Sequence, residues 1–299
     1  MPRTPVTSWG MSRRIEEQYN RSLQNLRRQI VRELSGAGSP QEISRRLQVI
    51  ANSPQFTNLA QSMANNMARQ VYRESGVHWR KLAQEANRRR GAAMYRALLR
   101  ELDSPFIGGV VEDIIIDNAN LIKTIPIRLD ASMASLRARN SAFAGARSES
   151  LVEEIKPMIS LSAEKLAEAE QAQIDHELEI AARRIARTET AKAQSALTQA
   201  RCDALGVAWY VWRTAGDGLR VRDSHRHMEG VLVAWSNPPN PETLIGKAND
   251  NGPYHAGNIW NCRCYSEPVI DIDWLYWPHK AFINGEIRKL TKNQFREVM

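Results

Sequence analysis

The feature that most constrains the fold of this chain is a change of sequence character at Gly206. Before this glycine, apolar residues recur at steps of three and four, as in the stripe that begins Ile15, Tyr19, Leu23, and most residues favour a helix. After it, glycine and proline interrupt the chain every few residues, and six of the eight tryptophans lie in the last 94 positions. The sequence therefore predicts a mainly α protein, with an elongated amino-terminal helical region followed by a small α+β carboxyl-terminal module.

Helix start and stop signals divide the amino-terminal part into four predicted helices. They are expected over residues 12–34, 39–51, 53–75 and 78–102. The break between the last two is placed at Gly76, because glycine disfavours a helix interior. The residues from 162 to 205 are nearly all good helix formers, which predicts one long helix or two in series that end at Gly206.

Three regions follow from this pattern. We expect a basic helical arm over residues 1–105, a mixed and mostly helical connector over residues 106–161, and the long helix with the α+β module over residues 162–299. The connector is mixed because Gly108 and Gly109 precede a short apolar run and an alanine-rich and arginine-rich stretch.

Positive charge is concentrated in the arm. Residues 1–103 contain 18 lysines and arginines against 8 aspartates and glutamates, a net charge of +10, whereas the rest of the chain carries −2. Arginine forms forked contacts to phosphate or carboxylate, so the arm is predicted to meet nucleic acid or an acidic partner surface. A solvated helix face is the alternative. The candidate contact residues are Arg45, Arg46, Arg88, Arg89 and Arg90.

Composition excludes several classes of protein. A chain with 42% apolar and 25% charged residues is typical of globular proteins, not of disordered ones. Its longest apolar runs hold only a few residues, so no membrane span and no membrane partner is expected. The first ten residues carry an arginine but no apolar segment behind it, which predicts maturation in a cytoplasm. Three cysteines are too few for a disulfide framework.

Glu189 lies within an apolar row of the predicted long helix. A buried carboxylate costs several kcal/mol, on the order of the penalty for an unpaired ion, unless a basic group meets it. Arg213, Arg220 and Arg222 lie directly downstream and are the expected partners. The alternative is an exposed Glu189 on a helix of slightly different register.

Metal-ligating side chains are dense between residues 225 and 264. Imidazole and thiolate are ligands that tetrahedral zinc prefers, so His225, His255, Cys262 and Cys264 predict a structural zinc site that would staple a loop-rich module. His227 is the alternative to His225. A one-residue gap between cysteines is less diagnostic than a two-residue gap, and cysteines packed beside an arginine-rich turn are the other interpretation.

An enzyme is not expected. A histidine-rich loop invites comparison with metal-dependent nucleases, in which a histidine activates water beside a cation. The sequence contains no phosphate-cradling glycine loop with lysine and no nucleophile elbow. A metal-dependent nuclease is kept as an alternative.

The order of the motifs resembles a known family over about residues 130–270. The motifs are Ala186-Arg187-Thr188-Glu189-Thr190 on the helix, Trp212-Arg213-Thr214-Ala215-Gly216-Asp217, Arg220-Val221-Arg222-Asp223-Ser224-His225, Met228-Glu229-Gly230, and Asn261-Cys262-Arg263-Cys264. This order is similar to that of the phage Mu F-like minor head proteins, also called phage head morphogenesis proteins. Glu229 stands where aspartate is commoner, and His255 lies in a longer insertion than the family's link to the cysteine pair.

The resemblance implies a minor capsid protein of a tailed bacteriophage, made in the host bacterial cytoplasm and located in the head of the virion. It implies association with the portal vertex during prohead assembly and contact or travel with the genome. Its partners would be the portal protein, other head proteins and double-stranded DNA, and no enzymatic step is implied. DNA binding through the arm is the alternative function. The motif residues expected to form a structural polar cluster are Arg187, Glu189, Arg213, Asp217, Arg222 and Glu229.

Overall fold

The computed structural model describes residues 10, 13–90, 92–100, 104–148, 163–216, 221–248 and 251–299. The helices of these residues are α1 (Arg13–Leu34), α2 (Pro40–Ala51), α3 (Pro54–Arg90), α4 (Ala92–Arg100), α5 (Pro105–Lys123), α6 (Ile125–Ser148), α7 (Ala163–Leu205), α8 (Asp223–Met228) and α9 (Lys292–Val298). The strands are β1 (Trp209–Arg213), β2 (Leu232–Ala234), β3 (Tyr265–Pro268), β4 (His279–Ile283) and β5 (Glu286–Leu290). The predicted fold class, mainly α with a carboxyl-terminal α+β module, is confirmed.

The first two helices lie where the sequence pattern predicts them. Ser39 caps α2, because its hydroxyl oxygen accepts the backbone N–H of Glu42 at 3.2 Å. The Glu42 carboxylate accepts the N–H of Gly38 at 3.1 Å and binds Arg46, one turn further along the helix. These bonds satisfy donors that a helix start otherwise leaves without an intrahelical partner.

The predicted break at Gly76 is wrong. A single helix, α3, runs through this glycine from Pro54 to Arg90, and α4 follows it. Glycine in a helix interior costs about 1 kcal/mol relative to alanine. Buried side chains on the next turns, among them Trp79 and Leu82, more than offset this cost by burying apolar surface.

The long predicted helix is a single element, α7, and it ends at Gly206. This glycine has a φ of +67° and donates its N–H to the carbonyl of Asp203 at 3.2 Å, while Val207 donates to Cys202 at 2.8 Å. The pair of bonds is a Schellman motif, which needs a left-handed residue at the position of Gly206. The chain therefore leaves the helix in a fixed direction into β1.

The described chain divides into two compact units, each drawn from separate stretches of sequence. One contains residues up to 17, 66–114 and 185–299, and the other contains residues 18–65 and 115–184. The boundaries proposed from the sequence at residues 105 and 161 stay a prediction. No described helix combines the length and the apolar character that crossing a bilayer requires.

The five strands of the first unit form one sheet in the order β3-β1-β2-β4-β5. Strand β1 pairs antiparallel with β2 and β3, β4 pairs antiparallel with β5, and β2 with β4 is the parallel pair. The extended segments predicted around residues 207–212 and 231–235 correspond to β1 and β2.

The two faces of this sheet bury different cores, because successive side chains of a strand point to opposite sides. Tyr210 and Trp212 of β1 join a core that includes Trp79 of α3 and Cys202 of α7. The other face packs against α9, where the ring of Trp209 lies 4.9 Å from that of Phe295 in an edge-to-face arrangement. The candidate site lies beside the core that contains Trp212.

Candidate functional site, a histidine and cysteine cluster beside an arginine-lined pocket

Three donor side chains of the first unit converge in one buried group, His225 on α8 and Cys262 and Cys264 in the segment that leads into β3. Their ligating atoms all lie within 4.8 Å of one another. The sulfur of Cys262 is 3.4 Å and that of Cys264 is 3.3 Å from the same nitrogen, Nδ1 of His225. Imidazole and thiols in this arrangement have the chemistry of a metal-binding group.

The segment before β3 folds tightly to present the two cysteines. Gly257 has a φ of +83°, and a Cβ at this position would lie 2.7 Å from the carbonyl oxygen of Cys264. Only glycine permits this approach. Asn261 is also left-handed, with a φ of 57°, and its N–H donates to the hydroxyl of Thr188 on α7 at 2.8 Å. The Asn-Cys-Arg-Cys turn is thereby held against the long helix.

A chain of hydrogen bonds orients the imidazole of His225. The hydroxyl of Tyr254 lies 2.8 and 2.7 Å from the two carboxylate oxygens of Glu242, and 2.9 Å from Nε2 of His225. Since the hydroxyl proton goes to the carboxylate, the hydroxyl oxygen accepts the N–H at Nε2 of the histidine. Burial and the Glu242 carboxylate raise the pKa of Tyr254 above its ordinary value, so the phenol stays protonated.

The two cysteines differ in acidity. A hydrogen bond from the Cys264 thiol lowers the pKa of Cys262, and the Cys264 backbone amide adds to this effect, although burial opposes it. The neighbouring Cys262 sulfur and burial raise the pKa of Cys264. Cys262 is therefore the more acidic of the two cysteines, as expected for two acidic groups in contact whose surroundings differ.

A pocket of about 360 Å³ opens beside the cluster, and all three donor residues line it. Three arginines, Arg187, Arg222 and Arg263, lie in its wall. Glu16 binds two of them: it accepts two hydrogen bonds from Arg263, at 2.8 and 2.7 Å, and approaches Nε of Arg187 at 3.4 Å. The wall of this pocket carries more positive than negative charge.

Among the three arginines of the pocket wall, Arg222 has a buried nitrogen that no described residue accepts. Its guanidinium stacks on the ring of Trp260, with 4.3 Å between the guanidinium carbon and the ring centroid, and Nη2 donates to the Trp260 carbonyl at 3.0 Å. Nη1 is buried and has no hydrogen-bond partner among the described residues. A buried donor without an acceptor is costly, and its position in the pocket wall suits an anionic ligand.

His255, expected as a fourth metal ligand, lies outside this group. Its Nδ1 is 3.1 Å from the hydroxyl of Tyr210, and its ring packs 5.0 Å from that of Trp235. Burial lowers the pKa of His255 to about 4, so the ring is neutral. The insertion that precedes the cysteines places the side chain of His255 in the core, beside Tyr210 and Trp235. Of the four metal ligands expected from the sequence, the described structure therefore brings three together. His227 is exposed, and His225 takes the site.

The polar cluster expected from the motifs divides into separate contacts. Arg213 binds Glu267 at 2.6 Å and Glu229 at 3.4 Å, and Glu229 also accepts the N–H and the hydroxyl of Thr214. Burial opposes the charge of Arg213, but these carboxylates raise its pKa. Arg187 donates to the side chain of Asn261 at 2.8 Å. Asp217 and Arg220 lie outside the described residues.

The pairing of Glu189 with Arg213 or Arg222 is corrected by these contacts. The side chain of Glu189 is 14% exposed and forms an ion pair with Lys192, one helical turn away on α7, at 3.5 Å. Arg213 is bound to Glu267, its diagonal neighbour across the β1 and β3 pair. Arg213 instead binds Glu267, which the sequence pattern did not place there, and Glu229, which belonged to the expected cluster.

The arginines proposed as contact residues have different environments. Arg46 binds Glu42 and donates to the carbonyls of Glu33 and Ser35, so it closes the connection between α1 and α2. Arg45 is exposed, and Arg88 is 77% exposed with Glu85 at 3.5 Å. The backbones of Arg89 and Arg90 belong to α3, and their side chains lie outside the description.

Several residues of the site were missed by the sequence reasoning. They are Glu16, Glu242, Tyr254 and Trp260. None belongs to a local motif, and Glu16 is 247 positions from Arg263. The signal that would have found Tyr254 is its place next to His255, within the insertion that precedes the cysteines.

The fold and the site define an α+β module that is docked on a long helix through a short cysteine-containing turn. Residues 136–267 match the family described as Phage Mu protein F like protein. Over these residues the chain is similar to the phage Mu F-like proteins, which confirms the resemblance drawn from the motifs. A Haemophilus influenzae protein described as "Uncharacterized protein" is 38% identical over 87 residues, which make up 29% of this chain and 17% of that protein. No solved structure gives a significant match.

Proposed function

We propose that this protein is a minor head protein of a tailed bacteriophage that acts in head morphogenesis at the portal vertex of the prohead. The observation that carries the proposal is the family match over residues 136–267, together with the docking of the Asn-Cys-Arg-Cys turn on α7. Asn261 of one motif binds both Arg187 and Thr188 of another. Such contacts support a structural role for these motifs, as an assembly protein requires.

The portal association is tested by co-expression of the full chain with the portal subunit of the same phage. We expect the two proteins to copurify, and we expect proheads assembled without this chain to package or deliver less DNA. Normal particle yield and infectivity without the chain would contradict the proposal.

Contact with the packaged genome is a second candidate function, favoured by one face of α3. Arg69, Arg73, Arg80 and Arg88 are exposed and fall within one side of this helix, over about 28 Å of its length. A row of arginines at this spacing suits the phosphates of one DNA face. This row includes Arg88, which the sequence suggested, but not Arg45 and Arg46.

DNA binding is tested with the triple variant Arg73→Gln, Arg80→Gln, Arg88→Gln. Neutralising three phosphate contacts lowers the slope of log K against log salt by about 3. The matched control neutralises three exposed arginines of α1, Arg21, Arg28 and Arg32. Equal slopes for both variants would contradict a role of the α3 row.

The nuclease alternative is tested by incubating the same DNA with the protein and Mg²⁺, Mn²⁺ or Zn²⁺. We expect the DNA to be recovered intact. Cleavage that is lost in the His225→Ala variant would favour the nuclease alternative.

A further inference from the structure

Two sulfurs approach one nitrogen of His225, and hydrogen bonding alone does not explain this arrangement. The Nδ1 atom of a neutral imidazole has a single lone pair, yet Cys262 and Cys264 lie 3.4 and 3.3 Å from it. In a tetrahedral zinc site with bonds of about 2.3 Å to sulfur and about 2.0 Å to nitrogen, each sulfur lies about 3.5 Å from the nitrogen. The observed separations are close to the edges of such a tetrahedron.

The hydrogen-bond chain behind His225 prepares Nδ1 as a ligand atom. The Tyr254 hydroxyl donates its hydrogen bond to Glu242 and accepts the N–H of Nε2, so the imidazole carries its proton on the side away from the cysteines. Metal-bound histidines commonly donate their other N–H to such a partner, which fixes the tautomer and the ring orientation. The lone pair of Nδ1 therefore points to the two sulfurs.

Three protein donors leave one position of a tetrahedron for another ligand. Within the described residues, the metal-ligating group contains His225, Cys262 and Cys264 alone. These donors line the same pocket as Arg222, whose buried Nη1 has no hydrogen-bond partner among the described residues. Zinc sites with three protein ligands keep the fourth position for water or an exogenous ligand.

We propose that Nδ1 of His225 and the sulfurs of Cys262 and Cys264 bind one zinc ion, and that its fourth position takes an oxyanion held by Arg222. The cationic wall formed by Arg187, Arg222 and Arg263 favours a negatively charged ligand of the phosphate class. Two thiolates neutralise the zinc ion, so the arginines supply the excess positive charge. This site does not depend on the proposed role in head assembly.

Metal content is measured on the purified full chain by elemental analysis. We expect about one zinc per chain, and its loss in Cys262→Ser and Cys264→Ser. Cys202→Ser is the matched control, since Cys202 is a buried free cysteine outside the group. A protein without zinc that binds none on titration, or full zinc content in both variants, would overturn the proposal.

If the serine variants do not fold, the site is tested by titrating the wild-type chain with cobalt. Charge-transfer bands from thiolate to cobalt would support the site, and their absence would overturn it.

The open position is tested on the cobalt-substituted chain with inorganic phosphate as the probe. Phosphate should shift the ligand-field bands of the cobalt ion. Arg222→Gln should keep the metal but weaken phosphate binding about tenfold or more, the loss expected for a charge-assisted hydrogen bond. Arg226→Gln, an exposed arginine of α8 that pairs with Asp223, is the control. Bands that phosphate leaves unchanged, or equal phosphate affinity in both variants, would overturn the oxyanion site.

Discussion

Thr188 on the long helix α7 accepts a hydrogen bond from the backbone N–H of Asn261, with 2.8 Å between the hydroxyl oxygen and the nitrogen. Arg187, its neighbour on the helix, donates to the side chain of the same asparagine at 2.8 Å. Two motifs that lie 73 residues apart therefore form one contact. The long helix α7 therefore positions the turn that carries Cys262 and Cys264.

Removing the acceptor at position 188 should destabilise the protein. Thr188→Val keeps the shape of the side chain but removes the acceptor of the Asn261 N–H, at a cost of about 0.5 to 1.5 kcal/mol. Denaturant unfolding followed by tryptophan fluorescence measures this change. Thr190→Val is the matched control on the same helix and should cost less, because its hydroxyl bonds only within α7. Equal stabilities of the two variants would show that the docking contact is unimportant.

Glu16 should be a second stabilising residue of the same unit. Its carboxylate accepts two hydrogen bonds from Arg263, at 2.8 and 2.7 Å, and both side chains are largely buried, with 15% and 20% exposed. Glu16→Gln removes the negative charge, so the mostly buried guanidinium of Arg263 loses this carboxylate. We therefore expect the free energy of unfolding to fall by about 2 to 3 kcal/mol. Glu17→Gln changes an exposed neighbour and should stay within about 0.5 kcal/mol of wild type.

Local signals were enough to predict most helices of this chain. The apolar stripe of α1, the Ser39 cap and the glycine at 206 act within a few residues, so their effect can be predicted without a fold. Gly76 shows the limit of such signals. Its preference amounts to about 1 kcal/mol, and the packing of Trp79 and its neighbours exceeds that amount.

The site could be predicted only in part, for a related reason. His225, Cys262 and Cys264 were recognised by their residue types, since thiolate and imidazole have few alternative roles when they are clustered. The ion-pair partners of the site arginines could not be predicted, because the carboxylate that binds an arginine can lie at any distance from it along the sequence. Glu267 replaced Glu189 as the partner of Arg213 through strand pairing, a relation that the sequence does not display.

In the second unit, the ion pair of Arg27 and Asp175 should make stability depend on acidity. Arg27 donates to both carboxylate oxygens, at 2.5 and 2.6 Å, and this contact lowers the pKa of Asp175. In the unfolded chain the pKa of an aspartate is about 3.9. Because the pKa of Asp175 is lower in the folded protein, the ion pair stabilises the folded state above this pH, and the stabilisation is lost as the pH falls below it. Asp175→Asn should therefore lower the melting temperature near neutral pH more than at about pH 3. Glu168→Gln, an exposed change on the same helix, should show no such difference.

His255 should make the first unit less stable in mild acid. Burial lowers its pKa to about 4, whereas the ordinary value is 6.5, so between these values the unfolded chain binds a proton that the native chain does not. The stabilisation is complete above about pH 6.5 and falls as the pH drops toward 4. Between about pH 7 and 5 the wild type should lose about 1 to 2 kcal/mol more than His255→Gln. His78 and His279, whose pKa values burial also lowers, are present in both proteins and cancel in the comparison. Parallel stability curves for the two proteins would show that His255 takes up its proton equally well in the folded and unfolded chains.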